Sequence, residues 1–413
     1  MIVKEDKKRV INDLQKKIMD DLDFGEELSD EQLKDLIGKH LLGKGKKDTF
    51  TLQQRKQMGK EIFDSFRKLD ILQDLIDNEE ITEIMVNGHE DIFIEMRGQI
   101  FKTDLKLESR EKLMQIINQI VSECNRSVNE SMPIVDARLK NGARVNVVLY
   151  PIALNGPILT IRKFPECPIT MEKLVDIGAV SQEAVEFLKK AVIARYNIII
   201  SGGTGSGKTT FLNALSQYIP SDERIITIED SAELQILGIG NLIRMETRNA
   251  NLEGGKQVSI RDLIKASLRM RPDRIIVGEV RGEEASDMIG SAMNCGHDGS
   301  MSSAHANSAT DMLLRLENMI LMSASLPVEV IRRQIVSGVD IIIHLGRMRD
   351  KSRKVLEISE ICGIEKEEII LNPLFRFQED RAKKTQKVEG SLQRVGALIH
   401  KYKMENAGID LSF

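Results

Sequence analysis

Residues 202–209 read Gly202-Gly203-Thr204-Gly205-Ser206-Gly207-Lys208-Thr209, directly after the apolar run Asn197-Ile198-Ile199-Ile200. A buried strand, a glycine loop and a helix beginning near Lys208 leave few architectures open. The glycines let the backbone curl until successive N–H groups point into one anion-sized hollow. The helix adds the positive end of its dipole at the same spot. Lys208 can reach outer phosphates, the Thr209 hydroxyl can take one Mg²⁺ position, and Thr210 follows on the same turn. This segment predicts a site for a nucleoside triphosphate and its Mg²⁺.

At 413 residues the chain is long enough for two or three domains with their own cores. Charged residues make up 30% and the net charge is −4, so no overall field recruits nucleic acid or an anionic membrane. Cys124, Cys167, Cys295 and Cys362 are scattered without a C-x-x-C pair, and they read as reduced thiols rather than zinc ligands. The N-terminus runs into alternating charge, and no stretch approaches the ~20 apolar residues of a membrane span. The composition predicts a cytoplasmic protein that meets the membrane only through a partner.

Residues 1–78 read as a helical region, with Ile11, Leu14, Ile18 and Leu22, then Leu33, Leu36 and Ile37, and finally Ile62, Phe63, Phe66, Leu69, Leu72, Leu75 and Ile76 at helical spacing. Gly43–Asp48 is a basic loop between them. Residues 79–163 read as a small α+β lobe. It has strands at Ile81–Asn87, Ile92–Glu95 and Ile158–Ile161, a helix capped by Ser109, and a hairpin turn at Asn141-Gly142. Pro165 and Pro168 mark a linker at 164–172. From 173 to 377 strands alternate with helices, which predicts a mostly parallel sheet covered on both faces. Residues 378–413 are polar and weakly patterned, and they read as a tail or peripheral helix.

Strand Arg274–Gly278 ends at Glu279, about 70 residues after the P-loop, where NTP-hydrolysing folds place an acidic residue. The usual Asp-Glu pair is Gly-Glu here. A second acidic cluster, Glu229, Asp230 and Glu233, closes strand Arg224–Ile228. Carboxyl ends of parallel strands line the ligand crevice, so Glu229 and Glu279 are expected at Mg²⁺ or the attacking water. His297 and His305 are too few for a metal site, but His305 ends a strand near the same crevice and can hydrogen-bond a γ-phosphate. Arginines are dense: Arg138, Arg144 and Arg162 before the linker, and Arg269, Arg271 and Arg281 around Glu279. Their planar forks suit phosphate and carboxylate alike.

Together these segments resemble the ATPases of the type II/IV secretion superfamily, and most closely the CpaF-type branch that drives tight-adherence pili. The P-loop, Ile225–Leu234 as an "Asp box", Arg269–Gly282 as Walker B and Gly296–Ser308 as a "His box" carry the resemblance. Ile81–Gly88, Gly142–Asn146 and Thr160–Phe164 extend it through the preceding lobe, so that it spans about residues 70–375. The resemblance implies a RecA-like P-loop domain and a homo-hexameric ring, with each nucleotide held between the two lobes of a subunit and closed by a neighbour. It implies catalytic roles for Lys208, Glu279, Glu229, Arg138, Arg144, Arg162 and His305. Arg281 joins the nucleotide-binding set, and either Glu229 or Glu279 serves as the base. It further implies Mg·ATP turnover that works on an inner-membrane platform protein to assemble a pilus. The alternatives are a type IV secretion or conjugation ATPase moving protein or DNA, and a non-hydrolysing assembly protein gated by nucleotide. Net acidity and few aromatics argue against direct nucleic-acid tracking.

Overall fold

The computed structural model describes residues 10–21 except 12, 16, 19 and 20, then 29–42, 51–163, 168–248, 256–380 and 387–410, less positions 97, 125, 140 and 324. Leu22, the basic loop at 43–48, Pro165 and Cys167 fall outside the described residues. The chain divides into two units, Met1–Glu166 and Cys167–Phe413.

In the first unit, helices α1 (Asp30–Leu42) and α2 (Leu52–Arg67) bury Leu33, Ile37, Met58 and Ile62 against Leu14 and Ile18. A reciprocal capping box fixes the start of α2: Thr51 Oγ1 accepts from the Gln54 N–H, and Gln54 Oε1 accepts from the Thr51 N–H. After α3 (Ile71–Asp77) come strands β1 (Ile81–Asn87), β2 (Asp91–Met96) and β3 (Gln99–Lys102), then α4 (Arg110–Glu123). Strands β4 (Ile134–Arg138), β5 (Arg144–Val148) and β6 (Ile158–Arg162) complete an antiparallel sheet of order β3-β2-β1-β6-β5-β4. Ser109 caps α4 by accepting from the Lys112 N–H, and α4 buries Ile116, Ile117 and Ile120 against Ile84, Val145, Leu159 and Ile161 of the sheet. Period-two alternation therefore sends Glu83, Arg138, Arg144 and Arg162 to the opposite face.

In the second unit, α5 (Met171–Asp176) and α6 (Gln182–Ile193) precede β7 (Ile198–Gly202), which leads through the P-loop into α7 (Lys208–Ser216). Then follow β8 (Arg224–Glu229), β9 (Asn241–Glu246), α8 (Ile260–Ser267), β10 (Arg274–Val277), α9 (Glu284–Asp287) and a π-helical turn at Met288–Met293. The remainder is β11 (Met301–Ala304), α10 (Ala309–Ser323), α11 (Val328–Gly338), β12 (Ile341–Arg347), β13 (Arg353–Glu365), β14 (Glu368–Glu379), β15 (Gly390–Arg394) and α12 (Tyr402–Asn406). The sheet order is β15-β14-β13-β12-β7-β11-β10-β8-β9. Pairing is parallel from β12 to β9 and antiparallel from β12 to β15. Strand β7 is apolar on both sides: Ile198 and Ile200 enter one core and Ile199 the other, so the sheet is covered on both faces. This is the α/β, RecA-like architecture expected.

Among the described residues beyond 377 the chain is no loose tail: it holds the edge strand β15 as well as a short peripheral helix, α12. β15 pairs with β14, and Leu392, Leu398 and Met404 are buried in the same core as Leu374 and Phe375. Tyr196 donates its hydroxyl to the His400 carbonyl at 2.7 Å. Strand β15 buries only its central leucine, which is why its sequence carries so weak a pattern. Among the described residues, no helix is long and apolar enough to cross a membrane.

Candidate active site

Strand β7 lies between β11 and β12, so the chain order reverses around it, and its carboxyl end opens a crevice of the kind that takes ligands in open parallel sheets. Gly202 stands at φ +158, and a Cβ there would lie 2.5 Å from the Leu345 carbonyl oxygen and 2.6 Å from Ser206 Oγ. Strand β12 and the loop close on each other only because that Cβ is absent. Gly207 takes the left-handed φ of +94 and starts α7 without a side-chain cap, so the first-turn N–H groups face the crevice. Gly203, Thr204 and Gly205 form the loop, and Thr209 and Thr210 sit half-buried on the first turn of α7.

Lys208 is 8% exposed, and its Nζ donates to the Gly202 and Gly203 carbonyls and to His305 Nδ1, each at 3.2 Å. Burial holds its ammonium below the ordinary lysine value, against the pull of Glu279. Accepting at Nδ1 leaves the His305 proton on Nε2, which lies 2.8 Å from Glu279 Oε1. Burial first, and the Lys208 charge second, lower the imidazole's affinity for a second proton, so His305 is the neutral link. Its Nε2–H is close to Glu279 but not aligned with it, and Oε1 is a buried acceptor without an aligned donor. Glu279 Oε2 accepts from Arg281 Nη2 at 2.7 Å, and Arg281 Nη1 lies 3.8 Å from Asp230 Oδ2. A chain Lys208–His305–Glu279–Arg281 thus runs from the P-loop to the end of β10.

Glu229 explains the Gly-Glu departure from the Asp-Glu pair. It ends β8 beside β10, and a Cβ on Gly278 would meet Glu229 Cγ at 3.0 Å. An aspartate at 278 and a glutamate at 229 compete for the same space. Glu229 Oε1 accepts from the Glu233 and Leu234 N–H groups at 2.8 Å, while Oε2 is buried without a partner. Those two bonds favour the carboxylate, yet burial outweighs them and raises its pKa to about 7. The Thr209 hydroxyl together with the two undonated oxygens, Glu229 Oε2 and Glu279 Oε1, fits the hard oxygen chemistry of a hydrated Mg²⁺.

The structure separates other candidates from this cluster. Arg269 and Arg271 precede β10, and His297 Nδ1 donates to the Pro272 carbonyl at 3.0 Å, so all three lie toward the amino end of that strand. Arg138, Arg144 and Arg162 belong to the first unit, where they form one row: Arg138 is directly opposite Arg144, and Arg144 directly opposite Arg162. Glu83 stands next in the row, opposite Arg162. Arg138 Nε donates to the Gly142 carbonyl at 3.0 Å, and Arg144 Nη2 lies 3.9 Å from Asp136 Oδ1.

Two further arginines, Arg347 and Arg353, stand by the P-loop without any local sequence motif to mark them. Arg353 Nε donates to the P-loop carbonyl of Gly205 at 2.8 Å, and Arg347 is its cross-strand partner on the β12–β13 hairpin. The basic run Arg347-Met348-Arg349-Asp350-Lys351-Ser352-Arg353-Lys354 was in plain view, but only the β12–β7 pairing brings it over the loop.

Comparison with known proteins agrees with this architecture. Residues 66–396 match the family described as type II/IV secretion system protein. The uncharacterized protein MJ0781 of Methanocaldococcus jannaschii is 42% identical over 242 residues, covering 57% of this chain and 33% of that protein. The type IV secretion system protein VirB11 of Brucella suis is 32% identical over 304 residues, covering 67% of this chain and 84% of that protein. The crystal structure of the pilus retraction motor PilT with bound ADP aligns with TM-score 0.52 at 21% identity, covering 82% of this chain and 86% of that one. At that identity the likeness concerns the fold.

Proposed function

The chain belongs to the type II/IV secretion system protein family, and from that premise we propose that it is an ATPase turning over Mg·ATP in a homo-hexameric ring. The contact chain from Lys208 through His305 to Glu279 carries this reading. An incoming phosphate competes with the Gly202 and Gly203 carbonyls for Lys208, whose charge then offsets the charge developing on the transferred group. When Lys208 turns away, His305 Nδ1 is freed, and a small ring rotation brings the Nε2–H, already 2.8 Å from Glu279 Oε1, into line with that oxygen. Glu279, with one oxygen held by Arg281 and the other beside His305, orients or deprotonates the attacking water. Bound Mg²⁺, held by Thr209 and through water by Glu229 and Glu279, would neutralise phosphate charge. Glu229 is the less suited of the two to act as base, because one of its oxygens is committed to backbone donors. Arg138, Arg144 and Arg162 supply phosphate contacts from the first unit, and Arg353 and Arg347 brace the loop.

The name of the relative VirB11, a type IV secretion system protein, supports export of protein or DNA over the tight-adherence pilus role expected from sequence. The acidic net charge makes protein the better substrate for direct contact, with any DNA carried by other components. The platform it would push against is an inner-membrane protein, met from the cytoplasmic side. Assembly of a tight-adherence pilus remains the second reading, carried by the resemblance in Ile81–Gly88 and Gly142–Asn146.

Glu279→Gln tests the assignment. It should bind nucleotide with wild-type affinity while turnover falls on the order of 10²–10⁴-fold. Hydrolysis by this variant at the native rate would remove Glu279 from the mechanism.

A further inference from the structure

Away from the P-loop, three side chains of metal-binding chemistry converge. Glu360 and Cys362 lie on β13, His400 lies on the segment between β15 and α12, and one ligand atom from each falls within 4.8 Å of the others. The sequence hides this cluster, since Cys362 has no cysteine or histidine nearby and His400 is 38 positions downstream.

Each ligand is oriented by something other than a metal. Glu360 is 1% exposed; its Oε1 accepts from the His400 N–H at 2.6 Å, and its Oε2 accepts from the Ile399 N–H at 2.8 Å and Asn372 Nδ2 at 3.1 Å. These three bonds leave one of about four lone-pair sites on the carboxylate. They are also the kind of outer-shell support that orients ligating carboxylates. His400 is held at both ends of its peptide, by Glu360 at the N–H and by the Tyr196 hydroxyl at the carbonyl. Its ring is more than half exposed, with Nδ1 3.2 Å from Glu360 Oε1. Cys362 occupies the register irregularity between Ile361 and Gly363, where β13 has one residue more than β14. Such a bulge re-aims a side chain that regular pleating would place elsewhere.

We propose that Glu360, Cys362 and His400 bind a divalent transition metal of the zinc class, with water in the fourth position. Sulfur, imidazole and carboxylate donors in one place match that class and not Mg²⁺ or Ca²⁺. Zinc bonds of 2.0–2.3 Å need ligand atoms about 3.5 Å apart in a tetrahedron; His400 Nδ1 and Glu360 Oε1 are already 3.2 Å apart, and all three ligand atoms lie within 4.8 Å, so metal binding would require only side-chain adjustment. The exposed ring also gives the ion its way in. A metal here would pin the segment that carries α12 to the sheet through β13.

Co²⁺ titration of the purified full chain, followed by absorbance, tests this. The wild type should take one equivalent and develop a near-ultraviolet thiolate-to-cobalt band. Cys362→Ser should lose the band, Cys295→Ser should keep it, and His400→Ala should weaken Co²⁺ binding at least ten-fold. Zn²⁺ should raise the melting temperature of the wild type but not of Cys362→Ser or His400→Ala. Absence of the band in the wild type, or its survival in Cys362→Ser, would overturn the site and leave Glu360–His400 as an ion pair.

Discussion

Around Lys208 opposite charges alternate, Lys208 to Glu279 through a neutral His305 and on to Arg281 and Asp230. On the first unit's sheet like charges are stacked instead, with Arg138, Arg144 and Arg162 opposite one another on three adjacent strands. The first arrangement pairs each charge with a neighbour in its own unit, so a ligand has to compete for Lys208. The second gathers three guanidinium groups side by side, which is destabilising in itself and is offset in part by Glu83 opposite Arg162 and by Asp136 beside Arg144. A surface of that kind is relieved by an arriving anion. On the proposed function, a phosphate rearranges the first region and meets the second as a basic surface.

Lys208→Ala should give the largest effect, a loss of turnover on the order of 10³-fold with the fold retained, measured by phosphate release and circular dichroism. Substantial remaining activity would mean that the P-loop charge is dispensable. Arg144→Ala, at the centre of the row, should lower turnover by about 10²-fold while leaving the melting temperature equal to or slightly above the wild type. A clear drop in melting temperature with unchanged turnover would make the row structural and dissolve the comparison.

Glu229→Gln should give the smallest effect, and it appears as a slope. Because burial raises the Glu229 pKa from 4.5 to about 7, the folded chain keeps a proton that the unfolded chain has lost between those values. Its stabilising contribution is full below about pH 4.5 and is lost as pH rises through about 7. Glu229→Gln should therefore flatten the fall in denaturant midpoint across that window. An unchanged slope would show that Glu229 ionises normally and that its buried oxygen is hydrated.

What the sequence disclosed depended on whether the information was local. The P-loop, the strand ending in Glu279 and the capping by Ser109 are properties of short segments, so spacing and residue type sufficed. The reason for Gly278 could not be read from the chain, because it depends on β8 lying beside β10 so that Glu229 fills the space. Asn197 shows the same limit. It looks like the polar start of β7, yet its buried amide accepts from Gly299 and Ser300 and donates to the Met293 and Gly338 carbonyls. That amide fixes the loop leading to His305 against β7. Arg353 reaches the P-loop only because β12 pairs with β7. Within 378–413 the strand β15 is silent in the sequence, because a single buried leucine in a short edge strand leaves almost no periodic signal.

In the proposed ring, cations from outside the P-loop unit complete its site once nucleotide is bound. The most direct test is ATPase rate per subunit as a function of protein concentration, with Lys208→Ala as the blank and sizing at each point. Specific activity should climb steeply with concentration and level off as the ring fills. A flat, nonzero activity from a species that sizes as a monomer would contradict the claim.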